Sequence, residues 1–99
     1  MSIKEEVLKY IKENKERFYK EYGIKEIYLF GSVARGEDNE NSDIDLMVEF
    51  DDSFPMNFKR LFGVKFEMEE RFKRKVDLLE KGAIRPRLRE YVLRDLIEG

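Results

Sequence analysis

Apolar residues recur at helical spacing through the first part of the chain. Ser2 and Glu5 form a capping-box pattern, which is typical of the start of a helix. Gly23 follows the last apolar position, as is typical of a helix C-terminus. The pattern therefore predicts one helix between these points, with apolar positions at Ile3, Val7, Tyr10, Ile11, Phe18 and Tyr22.

Three shorter segments have the patterns of strands. Residues 27–30 form an apolar, aromatic run that ends at Gly31 and indicates a buried strand. Residues 76–79 form another apolar run, which Asp77 interrupts. Residues 43–50 alternate, so one face of that strand is apolar and the other is mostly acidic. The apolar face comprises Ile44, Leu46, Val48 and Phe50, and the opposite face comprises Asp43, Asp45, Met47 and Glu49.

Helical segments are predicted between and after these strands. Residues 31–36 form a tight segment after the first strand, and residues 56–73 form a longer helix. Pro86 suits the first turn of a last helix, whose apolar positions are Leu88, Val92, Leu93, Leu96 and Ile97. The order of elements favours a small α/β domain over residues 1–99, with helices packed on a three-stranded sheet.

Composition limits the partners and the cellular location that we expect for this domain. Hydrophobic residues make up 41% of the chain, which is enough for one modest core. The 20 basic and 22 acidic residues give a net charge of −2, so neither a polycation that coats nucleic acid nor direct sequence-specific nucleic-acid binding is expected. No apolar run approaches the roughly 20 residues of a membrane span, and no signal-peptide pattern is present. We therefore expect a cytoplasmic protein without membrane association.

The chain contains no Cys and no His, which excludes several kinds of chemistry. Disulfides, thiolate metal sites and thiol nucleophiles require Cys, and Ser-His-Asp catalysis requires His. Any catalysis must therefore use carboxylates, Lys, Tyr or Ser. Oxygen ligands favour a hard cation such as magnesium, manganese or calcium.

The segment that begins at Gly31 suggests phosphate binding. Gly31 and Ser32 follow a predicted strand, where they let the backbone turn and bring N–H groups and a hydroxyl close to an anion. A helical turn starting there would favour phosphate through its unpaired N–H groups. Arg35 is compatible with two roles, a charge-assisted contact to phosphate or a brace for the loop.

Three Asp residues suggest a metal site. Asp43 and Asp45 are two residues apart on a predicted strand, so their carboxylates project from one face. This spacing suits two hard cations about 3.5–4 Å apart, as in two-metal phosphoryl transfer. Asp77 lies within an apolar run and could complete a carboxylate triad if its strand adjoins that of Asp45.

Each of these features alone also has an ordinary structural explanation that involves no ligand. With 22 acidic residues in 99, an Asp-x-Asp pair alone is more often a solvated strand face. The combination is much rarer, because seven fixed identities would occur together by chance on the order of once in 10⁸–10⁹ positions. These identities are Gly31, Ser32, Arg35, Gly36, Ser42, Asp43 and Asp45.

This combination resembles the signature of the DNA polymerase β nucleotidyltransferase superfamily. The short length and the Ala34-Arg35-Gly36 continuation are similar to its minimal nucleotidyltransferase (MNT) branch. The resemblance implies a small nucleotidyltransferase fold with a three-stranded mixed sheet. It also implies transfer of AMP from ATP to a hydroxyl group, with Asp43, Asp45 and Asp77 catalytic and bound to Mg²⁺, or alternatively Mn²⁺. Gly31, Ser32 and Arg35 would bind the nucleotide.

The same resemblance suggests a partner. Larger members of the superfamily carry acceptor domains, and stand-alone MNT proteins pair with small helical HEPN proteins, which are RNA-cleaving toxins. The implied role is that of an antitoxin that adds AMP to the toxin. Two alternatives remain at this stage, a non-catalytic antitoxin that acts by binding and a nucleotidyltransferase that modifies a small hydroxylated molecule.

The sequence leaves two surface features open. Basic residues concentrate in the last third of the chain and indicate either a solvated surface or electrostatic docking; they are Arg71, Lys73, Arg74, Lys75, Arg85, Arg87 and Arg89. The predicted helix over residues 56–73 and the segment before it are rich in large apolar residues that serve the core or a protein interface: Phe54, Met56, Phe58, Phe62 and Phe66.

Overall fold

The computed structural model describes residues 2–51, 58–81 and 97–98 of the chain. The helices are α1 (Ile3–Glu13), α2 (Lys15–Tyr22), α3 (Gly31–Arg35) and α4 (Phe58–Phe72), and the strands are β1 (Ile24–Phe30), β2 (Ile44–Phe50), β3 (Val76–Glu80) and β4 (Ile97–Glu98). None of the described helices is both long and apolar enough to cross a membrane.

The strands form one mixed sheet in the order β3-β2-β1-β4. β2 pairs with β3 in parallel, whereas β1 pairs antiparallel with β2 and with β4. The predicted small α/β fold, with helices packed on three strands of a mixed sheet, is therefore confirmed. β4 adds a two-residue edge that the sequence did not predict.

The prediction of a last helix that includes Ile97 was wrong at that residue. Ile97 pairs with Leu29 at the edge of the sheet. Its apolar spacing matches a helix, but free backbone groups at the edge of β1 offer it a strand partner instead. The other positions of that predicted helix, together with Phe54 and Met56, lie outside the described residues.

The predicted first helix is two helices, because the chain breaks at Asn14. The Asn14 side chain donates to the carbonyl oxygen of Tyr10 at 2.9 Å and accepts from Arg17 Nε at 3.1 Å. Such side-chain bonds compete with the helical backbone pattern, which explains the break. The predicted ends are confirmed: Ser2 accepts from the Glu5 N–H at 3.2 Å, and Gly23 adopts the left-handed conformation with φ 72°.

The alternation in β2 divides the sheet into two faces. Its apolar positions Ile44, Leu46 and Val48 are completely buried. They join a core cluster with Val7 of α1, Phe18 of α2, and Val64 and Met68 of α4. Successive side chains in a strand point to opposite faces, so Asp45 projects away from this core.

Two of the aromatic residues on α4 are not part of the core. Phe62 and Phe66 are 47% and 63% exposed, and their rings stack with centroids 6.3 Å apart. Gly63 lies between them in sequence, and a Cβ there would meet the Tyr22 ring at 3.1 Å. The glycine thus marks close packing of Tyr22 against α4.

A half-buried carboxylate joins the three long helices. Glu67 of α4 accepts hydrogen bonds from Tyr10 at 2.6 Å and Tyr22 at 3.0 Å, and it forms a two-nitrogen ion pair with Arg17. Burial opposes ionisation of Glu67, but these hydrogen bonds outweigh it and lower the pKa of Glu67. Burial and the bond to Glu67 raise the pKa of Tyr10 to about 12. The cluster therefore holds Glu67 ionised and the tyrosines protonated.

Replacement of Glu67 by Gln should lower the free energy of unfolding by about 2–3 kcal/mol, because Arg17 would lose its half-buried anion. Glu70→Gln is a matched control on the same helix, since Glu70 pairs with Lys73 in water and should matter little. Urea unfolding at pH 7 measures both changes. Equal stability of the two variants would contradict a structural role for the Glu67 cluster.

Candidate active site

The predicted site residues meet at one end of the sheet. β1 ends at Phe30, which pairs with Asp45 of β2, and Asp45 pairs in turn with Asp77 of β3. Paired residues of neighbouring strands project from the same face, so the two Asp side chains lie side by side. Asp43 immediately precedes β2, and α3 begins at Gly31 directly after β1. Strand register thus gathers segments that are far apart in sequence.

The environment of the Asp45 carboxyl group disfavours its ionised form. Burial, together with the negative charges of Asp77 and Asp43, raises the pKa of Asp45 to about 6. The positive charge of Arg35 acts in the opposite direction, and a hydrogen bond to Asp77 favours the protonated form. The three acids are thus close enough to repel one another when ionised.

The carboxylates of Asp43, Asp45 and Asp77 are the type of ligand that a hard divalent cation prefers. Carboxylate oxygens are the ligands that Mg²⁺ and Mn²⁺ prefer, and a cation would relieve the repulsion that raises the pKa of Asp45. Among the described residues, however, no group of three or more acids is already gathered into a metal-binding arrangement. The structure shows a carboxylate pair, Asp45 and Asp77, with the charge of Asp43 nearby, and the three-ligand role stays a prediction.

Gly31 packs directly against the carboxylate of Asp45. A Cβ added at Gly31 would lie 2.1 Å from Asp45 Oδ2, and the backbone there has φ 75°. Both the space and the left-handed backbone therefore require glycine. The sequence pointed to Gly31 for close approach of phosphate, and the structure adds that Asp45 itself occupies the space.

Ser32 and Arg35 belong to α3, the helical turn predicted after β1. Ser32 is half-buried in the first turn, and Gly36 ends the helix in the left-handed conformation. Arg35 Nε lies 3.0 Å from Glu37 Oε2. The positive charge of the guanidinium partly offsets the rise in the pKa of Asp45. Both roles that the sequence left open for Arg35 remain compatible with this position.

The loop of residues 36–43, which we call the connecting loop, contains contacts that the sequence did not reveal. Ser42 Oγ accepts from the Asn39 N–H at 2.9 Å, and the Ser42 N–H donates to the Asn39 carbonyl at 3.1 Å. Arg74 Nη1 reaches the same carbonyl at 2.9 Å and Asp38 Oδ2 at 3.2 Å. Ser42 belongs to the recognised pattern, but Arg74 appeared only as one of several basic residues.

Known proteins resemble this chain along most of its length. The model of the family described as "Nucleotidyltransferase domain" matches residues 7–98. A protein of Methanocaldococcus jannaschii, provisionally named a protein adenylyltransferase, is 37% identical over 98% of both chains. The protein adenylyltransferase MntA of Thermococcus cleftensis is 31% identical over 94% of this chain and 92% of its own.

Two solved structures are also similar. A structure provisionally described as a minimal nucleotidyltransferase is 34% identical, with a TM-score of 0.76 over 98% of this chain and 95% of its own. A complex of a tri-AMPylated HEPN toxin with an MNT antitoxin from Shewanella oneidensis gives a TM-score of 0.62 at 16% identity. That match covers 92% of this chain and 70% of the other, and at this identity it supports the fold alone.

Replacement of Asp45 by Asn should stabilise the metal-free protein near pH 7 and have little effect near pH 3. The folded pKa of about 6 exceeds the unfolded value of 3.8, so the wild-type protein loses stability as the pH rises between these values. Solvent screening of this partly exposed group reduces the expected gain to about 1–2 kcal/mol. Urea unfolding in EDTA at several pH values measures it, with Glu40→Gln as an exposed control. A difference that does not vary with pH would contradict the assigned charge repulsion.

Gly31→Ala should lower the thermal stability more than Gly36→Ala does. Both glycines have positive φ, so each substitution pays about 1 kcal/mol of backbone strain, but an added Cβ at Gly36 meets nothing within 4 Å. Only Gly31→Ala should also displace Asp45 and change its pKa. NMR titration of the Asp side chains and thermal unfolding of both variants measure this. Identical titration of Asp45 in the two variants would refute the packing argument.

Proposed function

Because the chain belongs to the nucleotidyltransferase domain family, we propose that it transfers AMP from ATP to a hydroxyl group of a partner protein. The observation that carries this proposal is the pairing of Asp45 with Asp77 beside the Gly31 turn. Phosphoryl-transfer sites require carboxylates that hold metal next to a segment that receives phosphate. The curated relatives named as protein adenylyltransferases support the choice of reaction.

Three carboxylates would hold the divalent cation in this proposal. Asp43 immediately precedes β2, Asp45 lies in β2 and Asp77 lies in β3. Bound Mg²⁺ would supply charge neutralisation for the triphosphate and acidify the acceptor hydroxyl. A bound cation would favour the ionised form of Asp45, because it would offset the burial and the neighbouring carboxylates that raise the pKa of Asp45 to about 6.

Residues of α3, which directly follows β1, would bind the nucleotide. The Gly31 backbone and the Ser32 hydroxyl would donate hydrogen bonds to the β- and γ-phosphates. Arg35 would add a charge-assisted contact after exchanging its exposed partner Glu37 for phosphate. These assignments agree with the position of all three residues at the end of β1 nearest Asp45.

The reaction then follows from the arrangement of these groups. The acceptor oxygen attacks the α-phosphorus in line, and the bond from that phosphorus to the bridging oxygen breaks. Asp77 would take the proton of the acceptor hydroxyl, and pyrophosphate leaves with the electron pair of the broken bond. AMP remains on the acceptor oxygen as a phosphodiester.

A HEPN-type protein is the proposed acceptor. A chain of similar fold occurs in a complex that contains an AMPylated HEPN toxin. Each transferred AMP adds a negative charge and a bulky base, and both would hinder RNA binding at a toxin active site. The protein would accordingly act as the antitoxin of such a toxin, within the cytoplasm.

Incubation with ATP, Mg²⁺ and a cognate HEPN protein should add one or more AMP units to that partner, as seen by intact-mass spectrometry. The double variant Asp43→Asn, Asp45→Asn should abolish the transfer while remaining folded, because removal of clustered like charges does not destabilise the chain. It is the matched control for binding without chemistry.

Two results would overturn the proposed reaction. A partner that stays unmodified but is still inhibited would identify the protein as an antitoxin that acts by binding. An unmodified and uninhibited partner, with AMP found on a small hydroxylated molecule instead, would assign a different acceptor class.

A further inference from the structure

Arg74 connects the two segments that lead to the site carboxylates. It lies in the turn between α4 and β3, three residues before Asp77. Its side chain is 19% exposed and that of its ion-pair partner Asp38 is 16% exposed. Arg74 Nη1 binds Asp38 Oδ2 at 3.2 Å and the Asn39 carbonyl at 2.9 Å, so it crosses from this turn to the connecting loop.

The base of this bridge is fixed by the preceding helix. The Val76 N–H donates to Glu69 Oε2 at 2.9 Å, and the Lys73 N–H donates to the Glu69 carbonyl at the same distance. Lys73 takes the left-handed conformation with φ 55°, which reverses the chain before β3. Arg74 thus projects from a turn that α4 holds on both sides.

The other end of the bridge is the turn that leads into Asp43. Hydrogen bonds between Asn39 and Ser42 close this turn, and the Asn39 carbonyl that Arg74 binds belongs to it. On the far side of Asp43, the Ile44 N–H donates to the Lys75 carbonyl at 2.9 Å. Asp43 is therefore held between two anchors on the same turn, a side-chain anchor from Arg74 and a backbone anchor from Lys75.

We propose that Arg74 is a positioning residue that fixes Asp43 relative to Asp45 and Asp77. β-Sheet register already aligns Asp45 with Asp77, but Asp43 lies outside β2 and depends on the connecting loop for its position. Groups that orient metal ligands typically change metal affinity by about 10- to 100-fold when they are removed. The inference rests on the proposed function for its kinetic consequence, but its effect on cation binding stands independently.

The test compares Arg74→Met with Lys73→Met, which removes the same charge one residue earlier from an exposed pair with Glu70. Mn²⁺ binding without nucleotide, followed by the EPR signal of free Mn²⁺, should weaken roughly 10- to 100-fold in Arg74→Met and stay unchanged in Lys73→Met. AMP transfer by Arg74→Met should lose kcat by a similar factor, about 10- to 100-fold, with little change in KM for ATP.

Two further variants separate positioning from folding. Arg74→Lys should recover part of the Mn²⁺ affinity, because it keeps the positive charge and an ammonium group has three donors. Asp38→Asn removes only the charged acceptor and should weaken Mn²⁺ binding in the same direction but less. It keeps the inference testable if Arg74→Met fails to fold.

Three results would overturn the inference. The first is equal Mn²⁺ affinity in Arg74→Met and Lys73→Met, and the second is absence of Mn²⁺ binding by the wild-type protein. The third is a kinetic defect of Arg74→Met that is confined to KM for ATP, because it would make Arg74 a substrate contact. The expected Mn²⁺ results together with no AMP transfer by the wild-type protein would support the positioning role and refute the proposed function alone.

Discussion

The parallel register of β2 and β3 places two carboxylates beside each other, and much of the site follows from that closeness. Asp45 pairs with Asp77 in the sheet, and burial with the neighbouring negative charges raises the pKa of Asp45 to about 6. Removing those charges would lessen the electrostatic strain, so a chain selected for stability alone has little reason to keep them. The arrangement would become favourable with the divalent cation that we propose. That cation and its nucleotide would then stabilise the folded chain by mass action.

The helices supply the packing contacts that offset the repulsion between the site carboxylates. Val7, Phe18 and Val64 join the apolar residues of β2 in one core on the face of the sheet opposite Asp45. Glu67 adds polar links among α1, α2 and α4 at the outer side of that core. Among the described residues, the repulsion around Asp45 therefore lies at one end of one sheet face, while the main core cluster lies on the other face. This separation allows Asp45 to keep an unfavourable environment without loss of the fold.

The sequence predicts those parts of the structure that depend on local patterns. Alternation in β2 identifies the buried face, and Gly23 identifies the end of α2, because both signals act over a few residues. The break at Asn14 and the strand at Ile97 escape prediction, since a side-chain bond decides the first and a distant sheet edge decides the second. The candidate site likewise contains residues that a local pattern predicts and a contact that it does not. The motif locates Asp43, Asp45 and Gly31, whereas the bridge from Arg74 spans 35 and 36 residues of chain and has no local signal.

The contact between Gly31 and Asp45 also has an evolutionary consequence. A Cβ at position 31 and a carboxylate at position 45 would occupy the same space, since the two would lie 2.1 Å apart. Any side chain at position 31 would therefore displace Asp45, and loss of the acid is the step that would open room for it. Relatives that have lost the acid at position 45 should thus differ at the turn of position 31 as well. In such a lineage, loss of the aspartate would ease a later replacement of the glycine, while the φ of 75° would still favour glycine at that position.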